Sequence, residues 1–309
     1  MQNMKDEDTS ASLVRDLLKD RRAERRWKNI RFVAWFLLIT FVSISSFRLF
    51  VPSSTVASLN TKGKYVALIR LDGMIAPGRS FSAEETIPIL HDAFTDKNAL
   101  GIILDIDSPG GTPVQSSIIH DAIVALKKKY HKKVVIVGED LLTSGAYFVA
   151  VAADKIYVNP NTITGSIGVI MKGFGFVDLL KKIGVERRVY TIGSDKDRLD
   201  PFLPQNPEDL KKIQTVMSEI HNNFAQAVLV GRKSKLQGNP DELFSGDFWS
   251  GQTALKLGLV DGLGNLMDVM QKEFNTENFR EYGNTPNLLR LFGGQVGSTL
   301  DAVLNGNVY

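Results

Sequence analysis

Ser144 lies in a loop whose residue types suit nucleophilic chemistry. The loop, Leu142-Thr143-Ser144-Gly145-Ala146, follows a predicted strand and opens a predicted helix of small residues. A serine followed by glycine at such a junction can expose its hydroxyl while the neighbouring N–H points to the same place. The alternative role for Ser144 or Thr143 is that of a helix N-cap, which is commoner for these residue types.

A second loop offers hydrogen-bond donors for such chemistry. The turn Ser108-Pro109-Gly110-Gly111 follows another predicted strand and opens another predicted helix. Glycines allow a carbonyl oxygen to approach the main chain closely, and N–H groups at a helix start favour negative charge. The turn could therefore stabilise an oxyanion, or it could be a simple connection between strand and helix. No Gly-Lys-Ser/Thr sequence follows it, so it does not fit a phosphate-binding loop.

A nucleophilic serine needs a base, and the sequence offers few. The four histidines are in settings typical of helix faces or polar loops: His91, His120, His131 and His221. Lys196 instead lies in a loop, residues 193–197, directly after a predicted strand. A free lysine has a pKa near 10.4, so a base that works near pH 7 needs about 4.6 kcal/mol of desolvation and hydrogen bonding. The alternative is a surface lysine paired with Asp195 or Asp197, and such a carboxylate would raise its pKa.

Composition excludes several classes of protein. The absence of cysteine removes disulfides, thiolate metal sites and a cysteine nucleophile. An apolar content of 43% with 23% charged residues is typical of a folded core. The net charge of +3 is small and its basic excess lies near the N-terminus, so we expect no nucleic-acid partner. No metal-ligand cluster or nucleotide motif is visible, and we expect no cofactor.

Apolar runs that alternate with helical patterns predict an α/β fold. The predicted strands are Tyr65 to Leu71, Leu100 to Ile106, Lys133 to Val137, Lys155 to Val158, Gly168 to Met171 and Arg188 to Ile192. Because most of these runs are continuously apolar, the sheet should be covered on both faces. The predicted helices are Ala83 to Thr95, Pro113 to Lys129, Gly145 to Ala153, Phe176 to Ile183, Pro207 to Leu229, Gln252 to Leu257 and Leu266 to Phe274.

The N-terminal region is typical of a membrane anchor. Residues 1–31 form a basic tail, and Phe32 to Phe47 carry no charge. If Arg48 extends its guanidinium to the headgroups, residues 32–51 provide the roughly 20 residues that span a bilayer. The positive-inside rule then places the tail in the cytoplasm. The alternatives are a buried core helix and a signal peptide cleaved near Thr55-Val56-Ala57. Residues 52–63 are predicted to be a linker.

Read in order, the motifs resemble the signal peptide peptidase A family of serine peptidases, family S49, which is related to the Clp protease subunit and the crotonases. The resemblance lies in LDIDSPGG at 104–111, TSGAYFVAVAADKIYVNPNTITGSIGVI at 143–170, GSDKD at 193–197 and WSGQTALKLGLVDGLGN at 249–265. It implies a Clp/crotonase-like core of repeated ββα units, behind the N-terminal transmembrane helix. We place that domain at 64–275 and a C-terminal tail at 276–309.

The resemblance also implies roles for individual residues. Ser144 would be the nucleophile and Lys196 the general base, and Ser166 would hydrogen-bond the lysine amine. The amides of Gly110 and Gly145 would form the oxyanion hole, although which glycine of the 110–111 pair donates stays open.

The resemblance further implies a membrane-anchored endopeptidase at the bacterial inner membrane, with its catalytic domain on the extracytoplasmic side. Its substrates would be leftover signal peptides or other membrane-proximal polypeptides. Related short chains form homo-oligomeric rings in which neighbouring protomers contribute serine and lysine. One alternative is a catalytically silent membrane scaffold of the same fold. Another is a crotonase-like acyl-CoA enzyme, which the predicted topology disfavours because CoA thioesters are cytoplasmic.

Overall fold

The computed structural model describes residues 31–32, 35–40 and 63–283. The chain divides into two compact units, Met1–Asn60 and Thr61–Tyr309. In the first unit, residues 31–32 and 35–40 are helical, and Trp35 and Phe36 are exposed. The rest of the expected anchor at 32–51 lies outside the described residues. Within the described ranges, no helix combines the length and the apolar character that crossing a bilayer requires.

The second unit is a mixed α/β domain, which confirms the predicted class. Its strands are β1 (Tyr65–Asp72), β2 (Ala99–Ser108), β3 (Val134–Thr143), β4 (Lys155–Val158), β5 (Ile163–Gly165), β6 (Phe248–Ser250), β7 (Gly262–Leu263) and β8 (Phe279–Tyr282). Its helices are α1 (Ala83–Thr95), α2 (Pro113–Tyr130), α3 (Gly145–Ala150), α4 (Val177–Lys182), α5 (Pro207–Arg232), α6 (Pro240–Leu243), α7 (Gly251–Lys256) and α8 (Leu266–Phe274).

All strands belong to one eight-stranded sheet whose main path runs β6-β5-β3-β2-β1-β8. Every pairing is parallel except that of β5 with β6. Strand β3 is shared between two neighbours on one side: its first half pairs with β4 and its last three residues pair with β5. Since β2, β3 and β5 run in the same direction, their carboxyl ends lie along one edge of the sheet.

Apolar side chains cover both faces of the sheet, as continuous apolar strands require. On one face, alternate strand residues such as Leu104 and Ile136 join the larger core with residues of α1, α2 and α3. On the opposite face, Ile103 and Val135 pack in a smaller core that includes Val269 and Met270 of α8. The fold therefore holds the central strands rigidly, and with them the loops at their ends.

The structure confirms the four predicted strands that correspond to β1–β4 and corrects two others. Residues 168–171 and 188–192 are not strands. Their apolar residues are largely exposed, Ile170 by 73% and Tyr190 by 89%, because no neighbouring strand in the described region pairs with them. Strand β8 pairs with β1, so the sheet extends beyond residue 275, where the sequence predicted the start of a tail.

Candidate active site

The backbone of Ser144 adopts a conformation that L-residues rarely enter. Its φ is 51° and its ψ is −123°, a region that normally belongs to glycine. Ser144 N–H donates to Gly165 O at 2.8 Å, and Ser144 O accepts from Phe148 N–H at 2.9 Å. Both hydrogen bonds fix the main chain at the start of α3. The residue is thus held in a strained turn between β3 and α3.

The Ser144 side chain is not used as a helix cap. Although Ser144 occupies the N-cap position of α3, its hydroxyl makes no capping hydrogen bond. The residue as a whole is half-buried. This geometry disfavours the capping alternative that the sequence left open.

The glycine pair after β2 lies directly against Ser144. A Cβ atom placed on Gly110 would stand 2.8 Å from Ser144 Cβ and 2.7 Å from Gly145 N. A Cβ placed on Gly145 would stand 3.1 Å from Gly111 N. The Gly110 contacts are too short for a residue with a side chain, and a Cβ on Gly145 would also stand 2.4 Å from Ser116 Oγ, so the close approach of the two loops favours glycine at both positions.

The amides around Ser144 differ in their hydrogen bonding. Gly110 N–H donates to Ser108 Oγ at 3.1 Å. Among the described residues, Gly111 N–H and Gly145 N–H have no acceptor. Gly145 therefore has a free amide, and in the 110–111 pair the free amide belongs to Gly111.

A bulge in β3, held by side chains, positions the Ser144 loop. Pairing with β2 passes from Ile106↔Gly138 to Ser108↔Leu142, so β3 contains two extra residues over this interval. Asp107 Oδ1 accepts the Leu141 N–H at 2.9 Å. This role of Asp107 was not predicted from the sequence, in which the only signal is a carboxylate at the end of an apolar strand.

Thr162 holds the same bulge from the opposite side. Its hydroxyl donates to Glu139 O at 2.6 Å and accepts from Asn159 N–H at 3.0 Å. Because Thr162 precedes β5, this contact links the bulge to the strand that also receives the Ser144 N–H. Thr162 was not identified from the sequence, since its partner lies more than 20 residues away.

Ser166 occupies the position after β5 that corresponds to Ser144 after β3. The register pairs Thr143 with Gly165, so each serine is the first residue beyond its strand. Ser166 also has a positive φ of 50°, and its N–H donates to Asp247 O at 2.8 Å. The structure therefore brings the Ser144 and Ser166 loops together at one edge of the sheet.

Lys196 lies apart from these loops in the described contacts. It is exposed, and its ammonium makes no hydrogen bond or ion pair with any described residue. Asp195 instead pairs with Arg198 at 3.0 Å, and Arg198 holds the pKa of Asp195 below its ordinary value. The ion pair between Lys196 and Asp195 that the sequence left open is therefore absent, and no hydrogen bond joins Lys196 to Ser144 within the described chain.

The histidines have other surroundings, as the sequence indicated. His120 Nδ1 lies 2.8 Å from Asp121 Oδ1, and His221 Nε2 lies 3.3 Å from Ile167 O. His91 packs its ring edge-on against Tyr130, and His131 ends α2 in a left-handed conformation. None of them hydrogen-bonds to Ser144.

A buried carboxyl lies on β2 two residues before Asp107. Asp105 is 2% exposed and forms an ion pair with Arg70 of β1. Burial, together with the neighbouring Glu139 carboxyl, raises the pKa of Asp105 to about 7 in spite of Arg70. Its Oδ1 atom is buried without a hydrogen-bond donor. In the described region, no group of acidic residues or histidines has an arrangement suited to a metal ion.

Comparison with known proteins identifies the family. The family model described as Peptidase family S49 matches residues 126–278. The Synechocystis sp. protein "Putative protease slr0021" is 34% identical over 208 residues, which is 67% of this chain and 73% of that protein. The Enterococcus faecium protein "Putative signal peptide peptidase SppA" is 32% identical over 181 residues, which is 58% of this chain and 52% of that protein.

A higher identity occurs with a much longer protein. The Brucella melitensis protein named "Na(+)/H(+) antiporter NhaA" is 46% identical over 214 residues, which is 68% of this chain but only 29% of that protein. That name describes the whole Brucella protein, of which this chain matches less than a third. The family model includes the Ser144 and Ser166 loops, and the Synechocystis relative is matched over most of its own length; on these grounds the chain belongs to peptidase family S49.

Proposed function

We propose that this protein is a serine endopeptidase with Ser144 as its nucleophile and Lys196 as its general base. The observation that carries the proposal is the geometry of Ser144, whose hydroxyl is free in a strained turn that contacts the Gly110-Gly111 loop. Membership of a peptidase family supports the same reaction. The core would be of the Clp/crotonase type.

The reaction would proceed through an acyl-enzyme. Neutral Lys196 takes the Ser144 proton while the hydroxyl oxygen attacks the peptide carbonyl, and the resulting ammonium then protonates the departing amine. Water hydrolyses the ester and regenerates the serine. Ser166 would orient the lysine amine.

The oxyanion of this reaction needs two donors near Ser144 Oγ. Gly145 N–H is free and belongs to the residue after the nucleophile, which supports its predicted role. For the second donor, the bond between Gly110 N–H and Ser108 favours the free Gly111 N–H over the predicted Gly110 N–H.

Lys196 would reach Ser144 through assembly of several copies. The ammonium of Lys196 is unpartnered within the described chain, and large apolar side chains nearby face solvent. Tyr190 is 89% exposed and Ile192 is fully exposed at 102%, values typical of residues that pack on a partner. These observations support a homo-oligomeric ring in which one copy supplies the serine and its neighbour supplies the lysine.

The substrates would be leftover signal peptides or other membrane-proximal polypeptides. The support is the apolar segment at 32–51 behind a basic tail, together with the name of the Enterococcus relative. With the tail in the cytoplasm, the peptidase domain would act on the extracytoplasmic side of the bacterial inner membrane.

The test is peptide cleavage between pH 6 and pH 10 by the full chain in detergent. We expect Ser144→Ala and Lys196→Ala to lose activity while keeping the wild-type oligomeric mass. Lys212→Ala, which removes an exposed lysine of α5, should keep the wild-type activity. The wild-type rate should rise with pH because the base works only when neutral. A fluorophosphonate probe should label the wild type but not Ser144→Ala. A wild type that neither cleaves peptide nor reacts with the probe would instead support the catalytically silent scaffold.

A further inference from the structure

An open apolar cavity lies between the segment that follows β5 and the first turns of α5. Its volume is about 590 Å³, within the range of ligand-binding pockets. Its apolar lining includes Met171, Phe174, Leu199, Leu203, Ile213 and Met217. Phe174 is 81% exposed and Met171 is 62% exposed, so apolar surface in this cavity faces solvent. A cavity with these properties gains free energy when an apolar group fills it.

Contacts behind the cavity hold its walls in place. Phe176 N–H donates to Pro201 O at 2.7 Å, and the Phe176 and Phe202 rings stack with centroids 5.3 Å apart. The Arg187 guanidinium lies 4.7 Å from the Phe202 ring centroid and pairs with Asp200. The cavity is therefore formed before any ligand binds.

Two residues that line the cavity follow Lys196 closely in the sequence. Asp197 and Leu199 line it, and both belong to the same loop as the lysine. In the proposed reaction, the base that takes the serine proton returns it to the departing amine, so the base lies on the leaving-group side of the scissile bond. Because Asp197, the residue next to Lys196, lines the cavity, the cavity is placed on that side too. The cavity has this place whether Ser144 belongs to the same chain as Lys196 or to a neighbouring copy.

We infer that this cavity binds an apolar side chain of the substrate, within the first three residues after the scissile bond. The inference rests on the proposed function and adds a specificity site to it. An extended peptide advances about 3.3 Å per residue, so its third residue is roughly 10 Å from the reacting carbonyl. A polypeptide that passes Lys196 in extended form therefore presents its first three side chains within this reach of the reacting carbonyl.

The charges around the cavity favour an apolar ligand over a charged one. The carboxylate of Asp200 is paired with Arg187, and that of Asp209 lies 3.4 Å from Arg198. Asp197 and Lys172, which also line the cavity, have no ion pair with described residues, and they bring one charge of each sign. Because two of the three lining carboxylates lie beside arginines and Lys172 offsets the third, burial of apolar surface is the main source of affinity.

The test compares two kinds of substrate with the full chain. The first is a peptidyl-aminomethylcoumarin, which has no residue after the scissile bond. The second is a set of quenched fluorescent peptides with the same N-terminal half and either leucine or asparagine at the first, second or third position after the bond. At one of these positions we expect the wild type to prefer leucine in kcat/KM by about tenfold or more.

Variants then assign the preference to the cavity. Leu203→Asn and Phe174→Ala should reduce the preference for leucine to about twofold or less. They should lower kcat/KM for the leucine peptide about tenfold more than for the coumarin substrate. Leu179→Asn replaces an exposed leucine of α4 that does not line the cavity, and it should leave the preference unchanged.

Three outcomes would overturn the inference, and they can be told apart. If the wild type cleaves both kinds of substrate without preferring leucine, the cavity is not a specificity site, but the peptidase proposal stands. If the cavity variants change the oligomeric mass in light scattering, a second copy of the chain occupies the cavity. If the wild type cleaves neither substrate, the proposed function itself fails, and the inference fails with it.

Discussion

The N–H of Ser144 and the carbonyl oxygen of Gly165 are joined by a hydrogen bond of 2.8 Å. This bond ties the turn that holds the candidate nucleophile to the end of the neighbouring strand β5. Gly165 has a φ of 93°, and a Cβ atom there would stand 2.5 Å from Cε3 of Trp249. The placement of Ser144 therefore depends on a residue 21 positions later that has no side chain.

Replacing Gly165 by alanine should displace the Ser144 turn. The positive φ and the contact with Trp249 both oppose a side chain, so Gly165→Ala should lower the free energy of unfolding by about 1–3 kcal/mol. It should also slow the labelling of Ser144 by a fluorophosphonate at least tenfold. Gly283→Ala is the control, because a Cβ at Gly283 meets nothing within 4 Å. Equal labelling rates in both variants would show that the Gly165 bond does not position the serine.

Asp107 should act through its hydrogen bond to Leu141 and not through its charge. An asparagine keeps a carbonyl oxygen for the Leu141 N–H, whereas Asp107→Ala leaves that donor without its partner at a cost of about 1–3 kcal/mol. We therefore expect Asp107→Asn to retain most of the peptidase rate and Asp107→Ala to lose most of it. Asp140→Asn, at an exposed position in the same bulge, should match the wild type. A severe loss in Asp107→Asn would instead assign the role to the charge.

The ion pair between Arg232 and Asp261 should contribute strongly to stability. These side chains are 2% and 4% exposed, with Nη1 and Oδ2 separated by 2.6 Å. Arg232→Ala would leave the buried Asp261 carboxylate with the half-exposed Lys235, 2.7 Å away, as its closest cation, and it should reduce the free energy of unfolding by at most about 3–5 kcal/mol. Lys155 is half-exposed at 3.9 Å from Asp261, so Lys155→Ala should cost only about 0–1 kcal/mol. Urea unfolding of both variants measures the difference, and similar losses would contradict the argument.

Asp105 should make stability depend on pH. Burial, assisted by Glu139, raises the pKa of Asp105 from an ordinary 3.8 to about 7. Between these values the folded chain keeps a proton that the unfolded chain releases, so this group's contribution to stability falls as pH rises from about 4 to about 7. Asp105→Asn lacks this titration, and its amide can donate to Glu139. Its stability relative to the wild type should therefore increase from pH 5 to pH 8, and a constant difference would contradict the role of Asp105.

The central strands were predictable because they are continuous apolar runs with turn residues at their ends. The same signal failed at residues 168–171 and 188–192, which have similar composition but no partner strand in the described region. An apolar composition indicates that a segment is buried by some surface, but it does not indicate whether that surface is a neighbouring strand or another part of the protein. The short strands β6 and β7 were not predicted, because they are too short to show a pattern of their own. Their pairing with β5 and β4 depends on contacts distant in sequence.

The site was predictable where chemistry depends on local residue types. Ser144, Gly110 and Gly145 were candidates because a serine and glycines follow strand ends, the family resemblance then assigned their roles, and the structure brings their loops together. The roles of Asp107 and Thr162 could not be predicted, because both depend on the bulge in β3, and a bulge appears only in the register between strands. Ser166 was identified by resemblance, since its sequence alone is that of an ordinary turn.

At position 144 the backbone conformation favours glycine for stability, whereas the proposed chemistry requires serine. At φ 51° and ψ −123° every residue except glycine bears a cost, on the order of 1–3 kcal/mol. A lineage that no longer needed the hydroxyl would gain stability by drifting to glycine at this position, with the surrounding fold unchanged. Among homologous chains, the residue at this one turn would then separate those still selected for a nucleophile from those retained only for their shape.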